Sequence, residues 1–143
     1  ERPVWIHCQM KRWTKKLFQF QRASSACPRQ KKYFANKTKY APYLHELGHK
    51  FYYDTIKSIA REKQIGYTKA QGITDACIYE YLHEKLLEGK SIGSLLSEYA
   101  NSGYKAQLYT EVIAESFSVK NINSVASDLI KLLEKEVKGK WDT

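Results

Sequence analysis

Leu44, Leu47, Phe51, Tyr52, Ile56 and Ile59 recur at the three- and four-residue spacing of a helix face. Tyr40-Ala41-Pro42 puts a proline near the first turn, where its missing N–H costs nothing, and no further proline interrupts the run to about Lys63. A second apolar stripe, Ile73, Ala76, Cys77, Tyr81, Leu82 and Leu86, predicts a helix from Ile73 to Glu88 bounded by Gly72 and Gly89. Tyr109 to Phe117 is apolar around most of its circumference, as a buried helix is. Asn123 to about Lys138 carries Val125, Leu129, Leu132, Leu133 and Val137 on one side and predicts an amphipathic closing helix. The start of the chain differs. Pro3 to Met10 is apolar and β-compatible, and Leu17-Phe18-Gln19-Phe20-Gln21 alternates with period two, so two strands of a small sheet are expected there. Ala23 to Lys39 reads as a loop approaching the first helix. The expected class is α+β, mostly helical, with a small N-terminal sheet packed on the helix that holds His45 and His49.

At 143 residues the chain is expected to be one domain, residues 1–39 giving strands and a basic loop and residues 40–143 the helical part. No stretch approaches the ~20 apolar residues of a membrane span, and no signal-peptide pattern is present. A chain that begins at Glu1 is expected to be a processed product or an excised domain. The chain is expected to be soluble, and Cys8, Cys27 and Cys77, an odd and widely spaced set, suggest a reducing compartment or no disulfide role, with Cys77 a small core residue. His7-Cys8 with Cys27 fits no zinc-module spacing. Asn36-Lys37-Thr38 is a glycosylation sequon that matters only in a secreted chain. The net charge of +9 gathers in the first forty residues, where Lys and Arg interleave with Trp13, Phe18, Phe20, Tyr33 and Phe34. Such a segment is able to attract an acidic peptide or protein, an anionic lipid surface or nucleic acid, although charge runs are commonly solvated faces.

His45-Glu46-Leu47-Gly48-His49 carries the candidate chemistry. On a helix, residues i and i+4 share a face, so both imidazoles can reach one tetrahedral cation while Glu46 points toward a water at an open position. Zinc lowers the pKa of such a water and Glu46 takes its proton, which produces a nucleophile for a peptide carbonyl. Gly48 costs the helix about 1 kcal/mol relative to alanine, which implies close packing against the backbone between the histidines. His83-Glu84 looks similar but has Leu87 in the fifth position, so it reads as helix surface. Two histidines leave zinc short of a ligand. Glu111 and Glu115 are the only charged residues of the buried helix and share one face, where a carboxylate needs a cation or hydrogen-bond donors to offset desolvation. Zinc for one and a ligand imidazole N–H for the other meet that need.

HELGH followed at a distance by Glu-x-x-Ala-Glu-x-Phe resembles the gluzincin-type zincin domains, a group that includes the anthrax lethal factor protease domain and the zincin domains of phage minor-head and mobile-element proteins. The resemblance runs from about Tyr40 to Phe117. It implies a zinc metalloendopeptidase acting on peptide or protein substrates, with one Zn2+ per chain held by His45, His49 and Glu111, and with Glu115 supporting a histidine. It implies an edge strand beside the zinc helix that binds extended peptide, and a phage or mobile-element association. It also places a tyrosine hydroxyl opposite the reacting carbonyl. Ser97-Glu98-Tyr99-Ala100 matches the local motif and makes Tyr99 the preferred residue, whereas Tyr104 stands at the commoner distance from Glu111, with Asn101 to Lys105 reading as a short insertion. The long interval between His49 and Glu111 must hold an extra element, for which Ile73 to Glu88 is the candidate. From another class, the rival is a basic nucleic-acid or virion-associated module that keeps zinc without turnover.

Overall fold

A computed structural model describes residues 33–138. They form α1 (Ala41–Lys63), α2 (Tyr67–Leu87), α3 (Ile92–Leu95), α4 (Glu98–Lys105), α5 (Tyr109–Ser118) and α6 (Ser124–Lys138). The α+β expectation is corrected: 76% of these residues are helical and none is in a strand. The reason is periodicity. Tyr52, Ile56 and Ile59, then Ala70, Ile78 and Leu82, then Ala126, Leu129, Ile130 and Leu133 reach the interior at spacings that only a helix turns to one side. Among the described residues, what packs on α1 is helical: α5 above all, with α2 and α6. The strands expected at Pro3 to Met10 and Leu17 to Gln21 lie outside the described residues, as do Cys8, Cys27 and most of the basic loop.

Helix α1 has the expected bounds. Pro42 occupies its first turn, and Arg61 and Lys63 lie in the last turn, where cations suit the helix dipole. Gln64 then turns into the left-handed region (φ 53°) and its N–H closes on the Ala60 carbonyl, ending the helix. Helix α2 starts at Tyr67, so Gly72 lies inside it and does not bound it. Its buried row is Ala70, Thr74, Ile78 and Leu82. Of the stripe expected from the sequence only Leu82 is buried; Ala76 and Leu86 are exposed, and Ile73, Cys77 and Tyr81 flank the core. Thr74 fits the apolar row because its hydroxyl donates to the Ala70 carbonyl at 3.0 Å.

Ser97 caps α4, its Oγ accepting the Ala100 N–H at 3.0 Å. Asn101 to Lys105, expected as an insertion, completes that helix. Helix α5 runs through the middle, with Val112, Ile113, Ala114, Glu115 and Ser116 all buried, and α6 covers it with Leu129 and Leu133 inward. A β-carbon on Gly48 would stand 2.5 Å from Ala114 Cα and 2.9 Å from Phe117 Cβ. Only glycine lets α1 and α5 come this close, and that approach brings the two histidines to the two glutamates. No helix among the described residues is long and apolar enough to cross a membrane.

Candidate metal centre

His45 and His49 lie one turn apart on the α1 face that meets the first turn of α5. His45 Nε2 is 3.2 Å from Glu111 Oε2, and His49 Nε2 is 3.5 Å from the same oxygen. A tetrahedral ion with bonds of about 2.0–2.2 Å separates its ligand atoms by roughly 3.3–3.5 Å. The two nitrogen–oxygen distances match that separation, and all three donor atoms lie within 4.8 Å of one another, close enough to share one divalent ion. Side-chain exposure rises from 1% at His45 to 13% at His49 and 24% at Glu111, so the site opens on the Glu111 side.

Each ring nitrogen turned away from the cluster has its own partner. His45 Nδ1 lies 3.0 Å from Glu115 Oε1, and His49 Nδ1 lies 2.7 Å from the Thr110 hydroxyl. Such outer partners orient the imidazole and present its other nitrogen to a cation. Glu115 is itself held: its Oε2 accepts the Ala35 N–H and the Ser97 hydroxyl, both at 2.8 Å. Three donors satisfy a carboxylate that is 2% exposed.

Burial pulls the His45 imidazole down, yet the carboxylates of Glu111 and Glu115 outweigh it and lift the ring to about 9. His49 is carried by burial to about 4, against the opposing charge of Glu111. Burial also disfavours the charge on Glu111, but the two imidazoles and the Tyr99 hydroxyl overcome it and hold the carboxyl below its ordinary value. At neutral pH, then, His45 carries a proton facing Glu111. A cation held by these three side chains would have to displace that proton.

Glu46 is buried, 3% exposed, and its Oε2 makes no hydrogen bond. Burial raises its carboxyl, with the Glu111 charge adding to the rise and His45 opposing it. A desolvated carboxylate with an unpartnered oxygen beside such a cluster is chemically able to take up a proton.

The two candidate tyrosines part company. Tyr99 packs its ring 5.7 Å from the His45 ring and hydrogen-bonds its hydroxyl to Glu111; burial, then the Glu111 charge, keeps that hydroxyl protonated far beyond its usual range. Its backbone N–H donates to the Tyr33 carbonyl at 2.9 Å, and Phe34 packs on its ring at 5.1 Å. Tyr104 instead lies parallel to Tyr79 at 6.0 Å and edge-on to Tyr109 at 6.2 Å, within an aromatic group on α2, α4 and α5. His83 is exposed and stacked on Tyr79 at 5.2 Å, as helix surface should be.

Sequence reasoning missed Thr110, the Ala35 amide and the task of Ser97. The serine was visible in Ser-Glu-Tyr-Ala, but that its hydroxyl reaches Glu115 depends on how α4 docks. No protein-family model, curated protein or solved structure matches the chain. The site is therefore read from its own geometry.

Proposed function

We propose that this chain is a zinc metallopeptidase of the zincin type, in which His45, His49 and Glu111 hold one Zn2+ and Glu46 is the general base. The observation that carries this reading is the meeting of three donors within 4.8 Å of one another, with a buried, partly unpartnered Glu46 on the helix that carries both histidines. When bound, zinc supplies a Lewis acid that makes a water acidic near neutral pH and polarises a carbonyl.

The chain's own residues do the rest. Glu46 takes a proton onto Oε2 from an attacking water and later delivers it to the leaving amine. Its raised pKa brings it closer to the working pH for both transfers. The Tyr99 hydroxyl, whose pKa is raised by burial and the Glu111 charge, is a hydrogen-bond donor beside Glu111 and suits the oxygen that gains charge as a peptide carbonyl is attacked. Glu115 orients His45 and leaves its Nε2 directed at the cluster. The substrate is a peptide or protein.

A second reading is a zinc-bearing module without turnover that binds nucleic acid. What favours it is the distribution of charge: basic and acidic side chains nearly balance over residues 33–138, so almost all of the +9 is carried by the other residues of the chain.

Elemental analysis and a peptide-library assay separate the readings. Wild type should hold one zinc and cleave peptides. Glu111→Ala should lose the zinc, whereas Glu46→Gln should keep it and lose hydrolysis by several orders of magnitude. Turnover retained by Glu46→Gln refutes the mechanism. Zinc without any turnover in wild type, together with salt-sensitive binding to DNA or RNA, selects the second reading.

A further inference from the structure

Helix α5 begins without a side-chain cap, because its N-cap residue is Leu108. A threonine in the first turn commonly bonds a free backbone group of its own helix. Thr110 does otherwise: its hydroxyl crosses to α1 and meets His49 Nδ1 at 2.7 Å. The neighbouring residue, Glu111, meets the other nitrogen of the same ring. One turn of α5 therefore grips His49 from both sides.

We infer that Thr110 is the positioning residue of the second histidine: its hydroxyl accepts the Nδ1–H of His49, fixes the tautomer and ring angle, and leaves the Nε2 lone pair facing Glu111. This rests on the metal reading of the site and assigns His49 a partner that the sequence pattern did not supply.

The two histidines are supported unequally. Glu115 accepts from Ala35 and Ser97 on one oxygen and turns the other to His45 Nδ1, where a carboxylate holds a proton on the ring and makes it a stronger donor. A hydroxyl carries no charge, so its hold on the Nδ1–H of His49 is weaker than a carboxylate's. Thr110 thus steers His49 without adding charge, and His49 is the weaker of the two nitrogen donors. Removing the hydroxyl frees the ring to rotate and to place its proton on Nε2, where it blocks a cation.

The test is zinc affinity of the full chain, measured by competition with a chromophoric chelator, for wild type, Thr110→Val and Thr110→Ser. Valine keeps the shape and removes the hydroxyl; serine keeps the hydroxyl. Thr110→Val should bind zinc about 10–100-fold more weakly, while Thr110→Ser stays near wild type. Long-range proton–nitrogen NMR of the zinc-free proteins gives a second readout, with the proton on His49 Nδ1 in wild type and spread over both nitrogens in Thr110→Val. Wild-type affinity in Thr110→Val, with wild type itself binding zinc, overturns this inference alone. An equal loss in Thr110→Ser and Thr110→Val overturns it too, because shape and not the hydroxyl would then be what matters. Failure of wild type to bind zinc overturns it together with the metal reading.

Discussion

Two buried glutamates with opposite surroundings divide the labour at residue scale. Glu115 receives a ring nitrogen, a backbone N–H and a hydroxyl, so all its capacity is spent on holding other groups in place. Glu46 is as well buried but keeps an oxygen without a partner. Leaving such an atom unsatisfied costs about 1–3 kcal/mol or more, a cost that a purely structural residue has no reason to carry. The tyrosines divide in the same way. Tyr99 touches Glu111 and the His45 ring, and Tyr104 touches other tyrosines. Tyr99→Phe should therefore lower kcat by more than Tyr104→Phe, with zinc retained in both, because an oxyanion donor acts chiefly in the transition state. Steady-state kinetics on one peptide decides it, and the reverse order removes Tyr99 from the mechanism.

Elements were legible where their signal was local. The start of α1 at the proline, its end near Lys63, the extent of α5 and the near-complete span of α6 follow from spacing and end signals that neighbours do not alter. Helix α2 was read short and rotated. Gly72 looked like a boundary, but it is exposed and its backbone tolerates the helix; and the row that reaches the core includes Thr74, whose hydroxyl bonds inside its own helix. Helix α4 was hidden by Ser102-Gly103, and Gly103 is there because a β-carbon would stand 3.1 Å from Glu111 Cβ. The meeting of His45, His49 and Glu111 was readable since i and i+4 geometry and a charged pair on an apolar helix are sequence properties. Thr110 was not, because its contact depends on the docking angle of α5 on α1. The two glycines inside long helices give a paired prediction. Gly48→Ala should destabilise by about 1–3 kcal/mol through overpacking against backbone that cannot yield, while Gly72→Ala, with open space around it, should stabilise by roughly 0.5–1 kcal/mol. Denaturant titration of both variants measures the signs, and a gain at Gly48 contradicts the close approach of α1 and α5.

Across the whole molecule, the site is a junction. Its donors come from α1 and α5; Glu115 adds α4 through Ser97 and the segment before α1 through Ala35. An ion that binds only the assembled junction stabilises all of it, by about 4 kcal/mol when free zinc exceeds its dissociation constant a thousandfold. Thermal unfolding should move upward with added zinc and back with chelator, and Glu111→Ala should show no such response. A melting temperature indifferent to zinc in wild type places no ion at this junction.

The Ala35 to Glu115 hydrogen bond joins residues 80 positions apart, and His45 to Glu115 joins residues 70 apart. Helices form within about a microsecond, but loops of that length close only when the helices dock. On a ribosome the histidine pair emerges well before its glutamate partners, since α5 follows α1 by some 45 residues. A nascent chain therefore displays HELGH with no third donor and no oriented His45, and a chain cut off before α5 never gains them. Placing the two glutamates on a later helix than the two histidines makes assembly of the cluster conditional: the full donor set comes into being only after α5 has been made and docked on α1.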